Sequence, residues 1–418
     1  FISFKKRYVL KTLNAVKIRR NWMIQFGKKN SCRRWQAVAV MLLITAGTAV
    51  FAATIKIGAI FAVTGAASYL GAPEEKTAKL FVENLNKSGG VNGNKIELIV
   101  KDSAGSSEKA LSFAKQLIDE LEVVAIIGPT TSGESLAVKD YCNKSKVPLI
   151  SCAAAETIVE PMLPYVFKTP QKDSYVVKWA YQTMKDNGIT KLAVVSSNTG
   201  FGAGGKTQLE KYANDFGITV VLSESYDAAA TDLSSLLTKV KGSGAQAVIN
   251  WSIEPAQSII AKNMKQMNLT IPLYQSHGFG NIKYVEAAGD AAEGIIFPCG
   301  KLLVADLLPS SDSQKALLQK YNSDYKAKYK EDASTFGGHA YDAILLLTTA
   351  ISQAKSSDPV KIAAALEKIT NLPGTAGVFT MSKTDHNGLG MDSITMPSPL
   401  WSVLLIVNTP AVKLTITG

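Results

Sequence analysis

From Thr54 onward, short apolar runs rich in β-branched residues alternate with amphipathic stretches of helical period. The apolar runs predict strands at residues 55–63, 96–101, 123–127 and 148–151. The amphipathic stretches predict helices at residues 71–87, 108–121 and 133–143. Because alternating strands and helices build parallel sheets covered by helices, this part of the chain predicts one doubly wound α/β lobe.

The same alternation continues through the second half of the chain. It predicts strands at residues 192–196, 219–224, 247–251, 272–275 and 295–298. It predicts helices at residues 174–186, 206–216, 231–240, 256–267, 311–329, 337–354 and 359–369. Since 418 residues exceed the size at which one hydrophobic core stops growing, we predict two doubly wound parallel-sheet lobes.

The positive charge of the chain is confined to its start. Residues 1–53 contain 11 of the 45 lysines and arginines and no acidic residue, so the rest of the chain has 34 basic and 34 acidic residues. A neutral body removes the main electrostatic argument for nucleic acid, and we expect no nucleic-acid partner. A basic stretch, an apolar run at 37–51 and small residues at 50–53 are typical of a cleaved signal peptide.

We therefore interpret residues 1–53 as a leader and expect a periplasmic protein. Residues 1–22 precede Met23 and are interpreted as an over-extended reading frame. A membrane anchor is the alternative, but the apolar run is short for a bilayer span and is interrupted by Thr45, Gly47 and Thr48.

Three cysteines follow the leader: Cys142, Cys152 and Cys299. An odd number argues against a disulfide framework even in an oxidising compartment. We expect them to be small buried hydrophobic side chains. A bridge between Cys142 and Cys152 is the alternative.

Short motifs recur in order along the chain and carry a resemblance to a known family. They are IGAI at 57–60, TG at 64–65, YLG at 69–71, NKSGGVNG at 86–93, IGP at 127–129, SG at 132–133, VPLIS at 147–151, EG at 293–294 and AYDA at 340–343. Their order and spacing resemble those of the Leu/Ile/Val-binding periplasmic proteins. Each motif is weak alone, but together they span nearly the whole chain after the leader.

The resemblance implies a type I periplasmic binding protein fold, in which a three-segment hinge joins two lobes that close on a ligand. It implies lobes formed by residues 54–172 with 302–377 and by 173–301 with 378–418. It also implies a monomer without catalysis or cofactor that delivers a small molecule to an inner-membrane ABC permease. A ligand-sensing receptor without transport shares the fold and stays an alternative.

Ser132 is the first candidate for ligand binding in the first lobe. It lies in a turn between a predicted strand and a predicted helix, where a hydroxyl and free amides can hold a carboxylate. In the resembled family, backbone groups and a Thr hydroxyl follow the next strand. Here Ala153 can supply backbone contacts, whereas Ala155 stands at the Thr position and has no hydroxyl.

His277 marks a second departure from the family. The amino-acid binders of this family place an acidic side chain there to pair with the ligand's ammonium. A histidine cannot replace that carboxylate, because its neutral ring offers one donor and one acceptor and its protonated ring repels an ammonium. It suits a carboxylate or a carbonyl instead, and a purely structural histidine is the alternative.

Five aromatic and aliphatic residues complete the candidate site. They are Tyr69, Phe201, Trp251, Ile253 and Phe279, all at or after the ends of predicted strands. Such side chains form an apolar slot in a cleft, although each is also typical of a core. We expect a branched-chain amino acid or a related small carboxylate, aliphatic or aromatic, as the ligand.

Gly200, Gly202 and Gly205 give an enzyme alternative. Their spacing fits G-x-G-x-x-G after a predicted strand, with Glu224 about 20 residues further on, as in a dinucleotide site. A secreted NAD-dependent oxidoreductase is therefore a less favoured interpretation, because the leader and the position in the second lobe argue against it. No metal-ligand motif is present, and Asp385-His386-Asn387-Gly388 is interpreted as a polar turn.

Overall fold

The computed structural model describes residues 54–394. The predicted leader, the short apolar tail at 401–407 and the rest of residues 395–418 lie outside the described residues. Within the described part, no helix combines the length and apolar character needed to cross a bilayer.

The first lobe contains a five-stranded parallel sheet. Its strands are β1 (Thr54–Phe61), β2 (Lys95–Asp102), β3 (Ile126–Ile127), β4 (Leu149–Ser151) and β5 (Val166–Lys168), in the order β2-β1-β3-β4-β5. Its helices are α1 (Ser68–Lys87), α2 (Ser107–Lys115) and α3 (Ser132–Lys144), and a π-helical turn at Gln116–Glu120 extends α2. The register places Gly58 of β1 between Ile99 of β2 and Ile126 of β3, so β1 is an inner strand of the sheet.

The second lobe repeats this arrangement with four parallel strands. They are β6 (Lys191–Ser197), β7 (Thr219–Tyr226), β8 (Ala247–Trp251) and β9 (Leu273–Gln275), in the order β7-β6-β8-β9. The helices are α4 (Asp173–Asp186), α5 (Gly200–Tyr212), α6 (Ser234–Gly242), α7 (Ala256–Gln266) and α8 (Ile282–Ala288). Two doubly wound parallel sheets confirm the predicted fold class.

The chain then returns to the first lobe. The later elements are α9 (Lys315–Tyr329), α10 (Thr335–Ala354), α11 (Pro359–Leu366) and an antiparallel pair, β10 (Leu372–Pro373) and β11 (Val378–Phe379). Short 3-10 turns lie at Glu156–Ile158, Asn214–Phe216, His277–Phe279, Gly289–Ala292, Lys301–Leu307 and Met391–Ser393. Helix α10 is apolar along most of its length because it packs in the core beside the first sheet.

The predictions differ from the structure at one strand and at several short elements, among them α8 and β10. The strand predicted at 295–298 is reduced to one bridge between Tyr274 and Ile296, and Pro298 has no N–H to extend a ladder. Strand β5 was not predicted because its three residues are too short to show a pattern. Cys142, Cys152 and Cys299 are buried and none forms a disulfide, as expected.

The lobe boundaries stay a prediction, and core packing bears on them. The chain leaves the first lobe after β5, and Ile295 packs in the core of the second sheet shortly before the turn at Lys301–Leu307. Phe379, Met381 and Leu389 pack with the first sheet, whereas Ile394 packs with the second. This packing favours a final crossing later than residue 377.

Candidate functional site

A cavity lies between the two lobes, at the carboxyl ends of their strands. Its volume is about 350 Å³, including the part open to solvent. Ligands of open parallel sheets bind at this edge, because the loops that follow the strands converge there. We call it the cleft cavity.

The first-lobe wall of the cleft cavity is built on the start of α3. Thr131 caps this helix: its side chain accepts from the Glu134 N–H, and its own N–H donates to Glu134 Oε2 at 3.0 Å. Ser132 follows as the first residue of α3, and its Oγ accepts the Ala155 N–H at 3.2 Å. The Ser132 hydroxyl hydrogen is not used by this bond, and the positive end of the helix favours an anion beside it.

Ala153, also in this wall, is already engaged. Its N–H donates to Ser151 Oγ at 3.0 Å. Ser151 Oγ in turn lies 2.7 Å from Ser135 Oγ. A ligand that takes the Ala153 N–H must share it with Ser151, so Ser132 is the more accessible donor.

The second-lobe wall is an aromatic corner. The rings of Phe201 and His277 meet edge to face at 5.4 Å, and Trp251 lies 5.9 Å from Phe201 and 5.8 Å from His277 between ring centres. Ile253 and Phe336 also line the cavity. This side therefore offers a mainly apolar surface to the body of a ligand.

Two histidines lie side by side in the walls of the cleft cavity. Burial lowers the pKa of His277 and of His339 to about 3, and the positive charge of Lys168 contributes to both shifts. Both rings are therefore neutral at physiological pH. Within residues 54–394, the two ring nitrogens of His277 and Nδ1 of His339 have no hydrogen-bond partner.

A buried charge pair lies behind His277, at the first crossing between the lobes. Lys168 Nζ donates to the Ala154 carbonyl at 2.5 Å and to the Gln171 carbonyl at 3.1 Å. Asp173 begins α4, is fully buried, and has its Oδ1 3.9 Å from His277 Nε2. Burial raises the pKa of Asp173 and lowers that of Lys168, while each charge opposes the shift of the other.

A second cavity adjoins the first on the hinge side. His277 and His339 line both cavities. Gln171, Thr335 and Thr375 supply polar groups to the second cavity. The two histidines therefore stand at the boundary between an apolar space and a more polar one.

Comparison with known proteins identifies the architecture around these cavities. The sequence model of the periplasmic binding protein family matches residues 54–393. The chain belongs to this family.

Curated relatives of this periplasmic binding protein cover most of its length. A leucine-, isoleucine-, valine-, threonine- and alanine-binding protein of Pseudomonas aeruginosa is 28% identical over 349 residues, which is 82% of this chain and 90% of the relative. The Leu/Ile/Val-binding protein BraC3 of Rhizobium johnstonii is 25% identical, and the match covers 79% of this chain and 88% of the relative.

Solved structures agree in fold. An extracellular ligand-binding receptor from Rhodopseudomonas palustris HaA2 gives a TM-score of 0.77 at 23% identity, covering 81% of this chain and 96% of that one. The branched-chain amino acid transporter substrate-binding protein LivJ of Streptococcus pneumoniae, solved with isoleucine, gives 0.70 at 27% identity, covering 79% and 92%. The resemblance to Leu/Ile/Val-binding proteins is thereby confirmed.

The structure of this binding protein brings five of the nine predicted site residues to the cleft cavity. They are Ser132, Ala153, Phe201, Ile253 and His277. They come from separate loops and helix starts, which the strand-end rule places at one edge. His339 also lines the cavity, from inside α10, which corresponds to the helix predicted at residues 337–354.

The other four predicted residues do not line the cavity. Ala155 and Trp251 are fully buried behind it, and Phe279 packs against Phe297 at 5.2 Å in the second core. Tyr69 is 41% exposed, and its ring meets that of Tyr284 at 5.6 Å. Their part in the site is support of the walls and contact between the lobes.

Several residues of the site were not predicted. Thr130 and Leu70 line the cavity from the first lobe, and Phe336 enters from α10. Asp173 and Lys168 were also missed, because they stand at a crossing between lobes where no periodic pattern marks them. A Lys at the end of an apolar run with an Asp five residues later is the one signal the sequence offers.

The three glycines of the G-x-G-x-x-G spacing each have a packing reason. A Cβ on Gly202 would lie 2.0 Å from the Ser197 carbonyl, and one on Gly205 would lie 2.1 Å from Trp251 Nε1. A Cβ on Gly200 would lie 2.9 Å from the Gly133 amide nitrogen of the other lobe. Close helix packing and lobe contact therefore account for the motif.

The Asp385–Gly388 segment is also structural. His386 stacks on Phe167 at 4.1 Å, and its Nδ1 lies 2.9 Å from the Val166 carbonyl oxygen. Asn387 donates to the carbonyls of Lys168 and Pro170. These contacts hold β5 and the chain that follows it in position. Among residues 54–394 no group of three potential metal ligands is assembled.

Proposed function

We propose that this protein is the extracytoplasmic solute-binding component of an ABC importer and that it binds a branched-chain amino acid or a related small carboxylate in the cleft cavity. The named relatives support the amino-acid part of this proposal. Their identity of 25–28% leaves the ligand to be argued from the residues of the site.

One observation carries the proposal. The cleft cavity has the start of α3 and Ser132 on one wall and Phe201, Ile253 and His277 on the other. A carboxylate at Ser132 meets a hydroxyl and the positive end of a helix. The body of the same ligand then lies on the apolar second wall, and closure of the lobes buries both ends.

The departures from the amino-acid binders concern the ammonium group. Ala155 supplies no hydroxyl and His277 supplies no negative charge to the cavity wall, and the charges of Lys168 and Asp173 behind it oppose each other. An ammonium group placed there loses hydration without gaining a counter-ion. We therefore favour a carboxylate ligand with an aliphatic or aromatic body and without an α-ammonium.

Calorimetric titration of the protein without its leader tests the ligand class. The probes are leucine, valine, phenylalanine, benzoate and 4-methylpentanoate, which is leucine without its amino group. We expect 4-methylpentanoate or benzoate to bind more tightly than the amino acids, and Ser132→Ala to weaken binding about tenfold. Tight leucine binding that is unchanged in His277→Ala would remove the argument from His277.

Transport and localisation need separate experiments. We propose a monomer in the periplasm that docks on an inner-membrane permease, and stimulation of the reconstituted importer's ATPase by the loaded protein tests this. A loaded protein that binds its ligand but stimulates no importer favours the sensing receptor. A change in NADH fluorescence on mixing would favour the oxidoreductase alternative.

A further inference from the structure

Three neighbouring side chains of the site leave polar atoms unsatisfied in the interior. These atoms are both carboxylate oxygens of Asp173, both ring nitrogens of His277 and Nδ1 of His339, none of which has a hydrogen-bond partner within the described residues. Buried polar groups without partners are rare in native proteins, and a group in a cavity wall is expected to meet a ligand or water. The cluster therefore carries information about the ligand.

Burial and the charge of Glu156 raise the pKa of Asp173, but other contacts in this cluster favour its carboxylate form. Lys168 is the opposite charge that acts on it most strongly, and Lys168 Nζ is held among two carbonyl acceptors, which favours the ammonium form. Asp173 is also the first residue of the 14-residue helix α4, where the helix dipole favours a negative charge. The nearby Glu156 carboxylate is already engaged, because it accepts the Ser174 N–H at 3.0 Å.

An ionised Asp173 determines which nitrogen of His277 carries the proton. The distance of 3.9 Å between Asp173 Oδ1 and His277 Nε2 is longer than a hydrogen bond, but it is short enough for the carboxylate to attract an N–H group electrostatically. A neutral imidazole has only one such N–H. With the proton on Nε2, Nδ1 is left as an acceptor that is free to meet a ligand.

We propose that Asp173 holds His277 in the tautomer protonated on Nε2, and that His277 Nδ1 accepts a hydrogen bond from a hydroxyl group of a carboxylic acid ligand. This inference rests on the proposed function, since it assumes that Ser132 holds the carboxylate end. Asp173 is a positioning residue, and His277 is the residue that contacts the ligand.

A hydroxyl fits the cluster better than an ammonium does. The acceptor on His277 is uncharged, and the Asp173 carboxylate lies on the Nε2 side of the ring, away from a group bound at Nδ1. A hydroxyl satisfies a neutral acceptor without adding charge, and it can also donate or accept at His339. Two positions are open for it: next to the carboxylate, where the amino-acid binders hold the ammonium, or at the far end of the ligand, beside the second cavity.

The tautomer is tested without any ligand by nitrogen NMR. The chain has only three histidines, so histidine-selective ¹⁵N labelling of a protein carrying no histidine tag gives three ring systems, which His339→Gln and His386→Gln assign. We expect His277 to show a protonated Nε2 and an unprotonated Nδ1 near pH 7. A protonated Nδ1 in the wild-type protein would overturn the tautomer.

Asp173→Asn and Asp173→Glu test the positioning role. We expect Asp173→Glu to keep the wild-type tautomer of His277, because an ionised carboxylate can only accept a hydrogen bond. We expect Asp173→Asn to give a mixture of tautomers, because an amide can both donate and accept. Circular dichroism and the melting temperature check that each variant is folded. An unchanged His277 spectrum in a folded Asp173→Asn protein would refute the role, and if that variant does not fold the wild-type spectrum still decides the tautomer.

Two pairs of acids test the ligand class by calorimetry. One pair is 2-hydroxy-4-methylpentanoate and 4-methylpentanoate, and the other is 4-hydroxybenzoate and 4-methylbenzoate. We expect the hydroxylated member of one pair to bind about fivefold to tenfold more tightly than its partner. A preference in the first pair indicates a hydroxyl next to the carboxylate, and a preference in the second indicates a hydroxyl at the far end of the ligand. His277→Phe should abolish this preference while weakening the unhydroxylated acid by a smaller factor.

The outcomes separate the two proposals. Equal binding of both members in both pairs would overturn the hydroxyl inference and leave the proposed function standing. Failure of all four acids to bind, together with binding of the matching carboxamides, would overturn the carboxylate ligand itself. Binding of leucine but of none of the four acids would overturn only the absence of an α-ammonium and leave the amino-acid form of the proposed function standing.

Discussion

At the level of single residues, the site depends on close packing that leaves no space for a larger side chain at neighbouring positions. Trp251 lies against Gly205, so that its ring stands where a Cβ would be. Its fixed position in turn supports Phe201 and His277 in the cavity wall. Glycine is required at this position because of close packing, and not because of its backbone flexibility.

Gly205→Ala should therefore destabilise the second lobe. The new Cβ would lie 2.1 Å from Trp251 Nε1, and overpacking of this kind costs roughly 1–3 kcal/mol. Urea unfolding followed by tryptophan fluorescence measures the loss. Gly204→Ala is the matched control, because its Cβ would meet the Ala155 Cβ at an ordinary 3.4 Å, and a stability loss of the same size there would contradict the packing explanation.

The two cleft histidines predict an acid-sensitive stability. Their folded pKa of about 3 lies below the ordinary 6.5, so the unfolded chain takes up protons first as the pH falls. Their contribution to stability is complete above pH 6.5 and is lost between pH 6.5 and 3. For each histidine the loss from about pH 6.5 to about pH 5 is roughly 1.5 kcal/mol.

Variants isolate this effect from that of other titrating groups. The difference in unfolding free energy between about pH 6.5 and about pH 5 should be smaller in His277→Gln and in His339→Gln than in the wild type. The double variant should lose both contributions. Equal pH dependence of all four proteins in urea unfolding would show that the histidines are not held neutral by burial.

Among secondary-structure elements, the start of α3 combines a structural cap with the candidate anion site. Thr131 and Glu134 satisfy each other's backbone N–H groups, and Ser132 is the next residue after the cap. The capping pair therefore fixes the direction of the helix end that faces the cavity. Stability and ligand binding are coupled at this point.

Thr131→Ala should reduce both properties. Loss of the cap costs about 1 kcal/mol of unfolding free energy, and the frayed turn should weaken binding of the tightest acid several-fold. Thr131→Ser should retain both. Ser106→Ala removes the cap of α2 in the same lobe and is expected to lower stability without changing affinity, and equal loss of affinity in Ser106→Ala would contradict a local role for Thr131.

Across the molecule, the two lobes are in contact beside the cleft. Asn281 Nδ2 donates to the Tyr69 carbonyl at 2.9 Å, and Thr335 Oγ1 donates to the Gly280 carbonyl at 2.7 Å. The rings of Tyr69 and Tyr284 meet beside them. These contacts join the two lobes beside the cavity, and we expect them to favour a closed arrangement of the lobes.

Asn281→Asp should shift the protein toward the open state. The carboxylate can still accept the Lys283 N–H at the start of α8, but it cannot donate to the Tyr69 carbonyl. We expect a larger radius of gyration by small-angle scattering and roughly tenfold weaker binding of the tightest acid. Unchanged scattering and affinity would show that this contact does not hold the lobes together.

The two-lobed α/β fold and part of the site follow from the sequence alone. Alternating periodicity reveals strands and helices because each buries one face, and strand-end positions converge for any parallel sheet, which explains Ser132, Phe201 and His277. The motifs also pointed to the family. These features are local or follow from a general rule of topology.

Which candidates face the cavity, and what stands behind them, depends on how distant parts of the chain pack. Trp251 and Phe279 have the composition of a binding slot but are core residues, because burial depends on what packs against them from elsewhere in the chain. Asp173 and His277 lie far apart in the sequence and meet only in the folded molecule. The charge behind the imidazole, and with it the expected ligand chemistry, is a long-range property that no local pattern encodes.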